Sequence, residues 1–173
     1  MSVTPMQSAD HSAQSHEGGC TCRYIRYRMT TAPLFVHCCH CRWCQRETGT
    51  AFALNAMIEA DRVQLLEGLV QVVDTPSNSG KGQGISRCPK CLVAVWSNYA
   101  GAGNVVRFVR VGTLDDPDRL PPDVHIFTAS KQPWVELPAG TPAFAEYYKT
   151  SEQWPKASLE RRAALLAKSP PRG

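Results

Sequence analysis

Apolar and polar positions alternate in short runs along most of this chain, and turn-forming residues separate the runs. Residues 20–27 carry Tyr24, Ile25 and Tyr27, side chains that suit a half-buried pleat, and predict a strand. Residues 34–37 and 51–58 predict two more. Residues 62–66 and 69–73 are β-rich runs parted by Glu67-Gly68, a pattern expected of a hairpin. Residues 76–84, rich in Gly and Ser, predict a loop. Gly80-Lys81-Gly82 lies within it, but neither the Gly-Lys-Ser/Thr ending nor the following helix of a phosphate loop is present. Residues 85–88, 92–97 and 105–111 predict further strands, the last alternating Val with Arg. Pro117, Pro121 and Pro122 mark an irregular connection. One helix is predicted late, over residues 159–168, with Ser158 as its cap, Pro170 as its stop and a basic, weakly amphipathic surface. Short strands with turns between them define a mainly β domain.

The chain divides into a flexible tail over residues 1–17, a domain over residues 18–145, and a part-helical C-terminal appendage over residues 146–173. The tail carries His11 and His16, expected to be ordinary tail histidines. The length of 173 residues suits one domain, and a hydrophobic share of 43% is close to the globular norm. No run approaches the ~20 apolar residues of a membrane span. The first 19 residues are polar and do not form a secretory signal. The net charge of +4 is spread along the chain with no basic tract, so no nucleic-acid partner is expected. These features predict a cytoplasmic protein, where thiols stay reduced and clustered cysteines bind metal or do chemistry.

Eight cysteines then need explaining, and seven are clustered. Cys20 and Cys22 form C-x-C, Cys39, Cys41 and Cys44 form C-x-C-x-x-C, and Cys88 and Cys91 form C-x-x-C. Closely spaced thiolates suit tetrahedral zinc. Two pairs supply four ligands, so Cys20, Cys22, Cys88 and Cys91 are expected to close one structural site. The triplet leaves three sulfurs and an open position, which is the pattern of a catalytic zinc. A ligand from elsewhere, such as His37 or His125, would instead close the second site and leave a non-catalytic zinc-stabilised binding module. Cys38 or His40 is less suited, being adjacent to the ligands. A redox role for Cys88-Pro89-Lys90-Cys91 finds no thioredoxin-like surroundings. Cys38, the odd thiol, reads as a small buried hydrophobe. Zinc held by three thiolates carries a formal charge of −1, a setting better suited to an incoming thiol than to making hydroxide. Arg42 and Arg46 could offset that charge and grip substrate carboxylates.

Several separated motifs carry a family resemblance. They are Gly18-Gly19-Cys20-Thr21-Cys22 with Arg26-Tyr27; Cys39-His40-Cys41-Arg42-Trp43-Cys44-Gln45-Arg46 with Gly49; and Arg87-Cys88-Pro89-Lys90-Cys91. The closing region adds Gly112-Thr113-Leu114-Asp115-Asp116, Pro122, His125-Ile126-Phe127, Ser130-Lys131 and Trp134. Over roughly residues 18–144 the chain resembles the glutathione-dependent formaldehyde-activating enzymes and their centromere protein V relatives. The resemblance implies a β-tent of small antiparallel sheets around zinc. It implies two zinc ions, one structural at Cys20, Cys22, Cys88 and Cys91 and one catalytic at Cys39, Cys41 and Cys44. Glutathione is the implied co-substrate and an aldehyde its partner, in a carbon–sulfur lyase reaction that forms or cleaves S-hydroxymethylglutathione or a related thiol adduct. Two positions depart from the family pattern: Arg23 and Leu92 stand where glycine is usual. Glycine there permits positive φ, so Leu92 implies either a different turn or strain.

Overall fold

The structure is a computed structural model that describes residues 14–168. His11 and most of the expected tail lie outside the described residues. His16 does not belong to a tail: it opens a strand and is buried.

The domain is mainly β, with few helices. A three-stranded antiparallel sheet runs β1 (His16–Gly19), β2 (Arg26–Met29), β5 (Val63–Glu67). The remaining strands are β3 (Phe35–Cys39), β4 (Ala53–Glu59), β6 (Gln71–Thr75), β7 (Gln83–Arg87), β8 (Ala94–Tyr99), β9 (Val106–Arg110) and β10 (Val124–Ile126). They form a seven-stranded sheet in the order β10-β3-β4-β9-β8-β7-β6. Its pairs are antiparallel except β10 with β3, which is parallel. One sheet is therefore larger than the small antiparallel sheets expected. Parallel pairing requires a crossover rather than a tight turn, and the proline-bearing stretch with its 3-10 turns at Val111–Thr113 and Pro117–Arg119 supplies it.

Side-chain alternation builds two cores. Tyr27 and Met29 on β2 are wholly buried while Arg26 and Arg28 turn outward. They pack with Ile25, Val36, Ala56, Ile58, Val95, Trp96 and Val109. Tyr27 meets Trp96 edge-on, with ring centroids 5.5 Å apart. A second cluster gathers Phe35, Met57, Val106, Val124 and Ile126 with Tyr148 and Trp154 from the C-terminal segment. β3, β4 and β9 contribute to both clusters through successive residues, so they lie between the two cores.

Four expectations need correcting. Residues 20–27 are not one strand: β1 and β2 form a hairpin, and the Cys20–Cys22 knuckle is the bend between them. β5 and β6 are not a hairpin, because β5 pairs with β2 and β6 with β7. Gly68 sends the chain from one sheet to the other at φ 76°, and a Cβ there would stand 2.1 Å from the Tyr24 carbonyl oxygen. A short helix not anticipated, α1 (Arg42–Thr48), follows Cys41. Finally, the C-terminal segment is not a surface appendage. After α2 (Thr150–Gln153), helix α3 (Lys156–Lys168) begins before Ser158, which lies within it rather than capping it. Arg161 on α3 donates to both carboxylate oxygens of buried Glu59, at 2.9 and 2.6 Å. Pro170 lies outside the described residues.

Candidate metal centres

The first group of thiols joins two knuckles distant in sequence. Cys20 and Cys22 sit in the β1–β2 bend, and Cys88 and Cys91 in the β7–β8 bend. All four sulfurs lie within 4.8 Å of one another. Cys20 Sγ is 3.5 Å from Cys22 Sγ, and Cys22 Sγ is 3.7 Å from Cys88 Sγ. Four thiolates bound tetrahedrally at ~2.3 Å stand about 3.8 Å apart, so this set fits a zinc-sized ion. Backbone amides already face the sulfurs: Ile25 N donates to Cys20 Sγ at 3.2 Å and Lys90 N to Cys88 Sγ at 3.4 Å. The Cys91 thiol is drawn down to about 6, first by the backbone amide of Cys22 and then by that of Val93.

The second group is Cys39, Cys41 and Cys44, all buried and all within the same 4.8 Å. Cys39 ends β3. Cys41 is the N-cap of α1, its sulfur accepting from Cys44 N at 3.4 Å. That geometry curls the triplet around one point, since a cap and the third helical residue face each other. Gln45 secures the turn by donating to the carbonyls of His40 at 2.7 Å and Ser130 at 2.9 Å. Hydrogen bonds from Cys39 and then Cys44 draw the Cys41 thiol down, and the same contact with Cys41 pushes Cys39 up. A thiolate is the metal-binding form.

These three sulfurs line a cavity of about 290 Å³. Opposite them stand Asn55, Tyr99, Phe108, Arg110, Phe127 and Tyr147. Arg110 is 8% exposed and donates to Asn55 Oδ1 at 2.5 Å. Among the described residues no carboxylate pairs with it, which makes it a buried cation beside a thiolate cluster. Glu47 of α1, also on the cavity wall, is ion-paired with Arg87, the neighbour of Cys88.

His37 also lines the cavity, but its Nε2 lies 2.5 Å from the Tyr148 hydroxyl, which in turn accepts from Trp154 Nε1 at 2.7 Å. His125 stands elsewhere, with Cys38 and His40. Neither histidine belongs to the Cys39–Cys41–Cys44 group. Arg42 and Arg46 line a separate groove with Gln45, Gly49, Gln132 and Trp134 and do not reach the cavity wall. Lys131 caps the Val135 carbonyl at 2.5 Å, and Trp134 is largely exposed. The sequence reading missed Arg110 and Asn55. No local signal marked them, because each is one polar residue on a strand whose inward face only the fold decides.

The site thus defines a β protein built around two clusters of thiols, either of which could hold a metal ion. The family model for the glutathione-dependent formaldehyde-activating enzyme matches residues 15–130, and the chain belongs to that family. Comparison with curated proteins finds no match. Among solved structures it is similar to a Rhodobacter sphaeroides protein, with a TM-score of 0.42 and 14% identity over 57% of this chain and 87% of that one. Among the described residues no helix is long and apolar enough to cross a membrane.

Proposed function

We propose that the chain is a zinc-dependent carbon–sulfur lyase that forms or cleaves the adduct of glutathione, or a related thiol, with formaldehyde or another small aldehyde. One observation carries this reading. The group of Cys39, Cys41 and Cys44 has three sulfurs and faces a cavity, whereas the group of Cys20, Cys22, Cys88 and Cys91 has four. Zinc held by the triplet supplies a centre that keeps a thiol deprotonated at neutral pH.

The chain's own residues do the rest. Three thiolates on a divalent ion leave one negative charge, and the Arg110 guanidinium offsets it from within the same cavity. Asn55 occupies part of the Arg110 donor fork, and the remaining donors are available to an anionic oxygen on the substrate. Tyr99, Phe108, Phe127 and Tyr147 give the cavity apolar walls that limit water, which competes with sulfur for the aldehyde carbon. In the forward direction sulfur bonds to the carbonyl carbon, the C=O π bond breaks, and the oxygen takes up the proton that sulfur gave up. Cleavage is the reverse. Arg42 and Arg46 lie outside the cavity and serve the carboxylates of a long thiol substrate extending past its mouth.

Exchange spectroscopy with carbon-13 formaldehyde and glutathione tests the reading. The zinc-loaded protein speeds exchange between free aldehyde and thiol adduct. Exchange at the spontaneous rate, with formaldehyde and with larger aldehydes alike, overturns it.

A further inference from the structure

We infer a third metal site, for one monovalent copper ion, formed by Cys38, His40 and His125. It does not depend on the lyase reading. Cys38 and His125 are register neighbours across the parallel β3–β10 pair. Strand alternation turns Cys38 to the sheet face opposite that of Cys39. The group is therefore distinct from the cavity triplet, although the two are adjacent in sequence.

Three donor atoms converge there. Cys38 Sγ lies 3.6 Å from His40 Nε2, and His40 Nε2 lies 3.0 Å from His125 Nδ1. Donors bound to one ion at ~2.0–2.3 Å stand roughly 3–4 Å apart, which covers both spacings. His40 Nε2 faces a sulfur and a nitrogen at once. A ring nitrogen carries one hydrogen or one lone pair and satisfies one such neighbour at a time, whereas a cation between the three atoms engages all of them. Nothing on the far side of either ring explains the convergence: His40 Nδ1 and His125 Nε2 are buried and have no hydrogen-bond partner in the structure.

Burial and charge select the ion. The three residues are 2%, 0% and 5% exposed, so solvent does not complete a coordination shell. Among the described residues no fourth Cys, His, Asp or Glu joins the group, and zinc favours four ligands. A divalent ion with one thiolate and two imidazoles leaves a buried charge of +1, which is costly in a low-dielectric interior. A monovalent copper ion with the same donors is neutral overall, and its softness matches thiolate and imidazole. Binding releases the Cys38 proton to solvent.

Anaerobic titration of the zinc-loaded protein with cuprous ion tests the site, with released zinc followed by a colorimetric chelator. The first equivalent is expected to bind with no zinc released, and copper X-ray absorption to show one sulfur and two nitrogen neighbours. Cys38→Ser and His125→Gln, each retaining its zinc as evidence of folding, lose that equivalent. Stoichiometric zinc release by the first equivalent, an all-sulfur copper shell, or undiminished uptake by both zinc-retaining variants overturns the site.

Discussion

Arg23 and Leu92 adopt the same left-handed backbone conformation, each at φ 61°, and each directly follows the second cysteine of its knuckle. Their amides do the same work: Arg23 N donates to the Cys20 carbonyl and Leu92 N to the Cys88 carbonyl, both at 2.9 Å. The missing glycines have therefore not changed the turn, and both side chains accept its strain. Left-handed geometry costs a non-glycine residue ~1–2 kcal/mol, while glycine costs the folded state ~0.5–1 kcal/mol in entropy. Leu92→Gly, at an exposed site, is expected to raise the stability of the zinc-loaded protein by up to about 1 kcal/mol in denaturant titrations, and Arg23→Gly likewise. Leu92→Val moves stability the other way.

Arg161 anchors α3 through a two-pronged pair with Glu59, and its Nη1 also donates to the Ala32 carbonyl at 3.1 Å. Burial, the largest single influence, would raise the Glu59 pKa, but the Arg161 hydrogen bonds, a backbone amide and the charges of Arg161 and Arg62 together outweigh it and hold the carboxyl below its ordinary value. Stability from this pair is present above the unfolded carboxylate pKa and is lost as pH falls through the lower folded value. Arg161→Ala leaves buried Glu59 with Arg62 as its ion-pair partner, at 3.4 Å, and is expected to cost ~1–3 kcal/mol at neutral pH. Acid titration of the variant should show the Glu59 carboxyl taking up its proton at a higher pH than in the wild type.

The Tyr148 hydroxyl ties Trp154 to His37, on the strand that ends in Cys39. Tyr148→Phe leaves a buried indole N–H and an imidazole nitrogen without this partner, at a cost of ~1–3 kcal/mol. Thermal unfolding measures the loss. The zinc content should not change, because no ligand is touched.

Arg110 separates charge from architecture at the cavity. Arg110→Gln is expected to lower turnover of the thiol adduct by roughly 10²-fold, the scale seen when one preorganised donor is removed. Zinc content and the circular dichroism spectrum should stay at wild-type values. Arg42→Gln, outside the cavity, should affect KM more than kcat.

The sequence made the thiol groups legible because knuckle spacing brings sulfurs together locally, whatever the long-range fold. The β class was legible for the same reason: residues 105–111 alternate Val with Arg, and β9 lies within them. What failed depended on partners far along the chain. Glu67-Gly68 looks like a hairpin turn, yet only the pairing of Val63 with Met29 and of Gln71 with Arg87 decides that the two strands enter different sheets. Helix α1 is seven residues long and capped by a cysteine, so the usual Ser/Thr/Asp start signal was missing. Arg110 alternates with valines as a surface arginine would, and its burial arises from a cavity closed by β8 and the segments around Ser77 and Tyr147.

Metal analysis of the wild type, Cys41→Ser and Cys91→Ser, followed by glutathione addition to cobalt-substituted samples, is the most direct test of two thiol centres with different duties. The division into one closed and one open centre predicts two zinc ions in the wild type and one in Cys41→Ser. It also predicts a cobalt spectrum that glutathione shifts in the wild type and leaves untouched in Cys41→Ser. Two ions retained in Cys41→Ser, or a wild-type spectrum indifferent to glutathione, would contradict it.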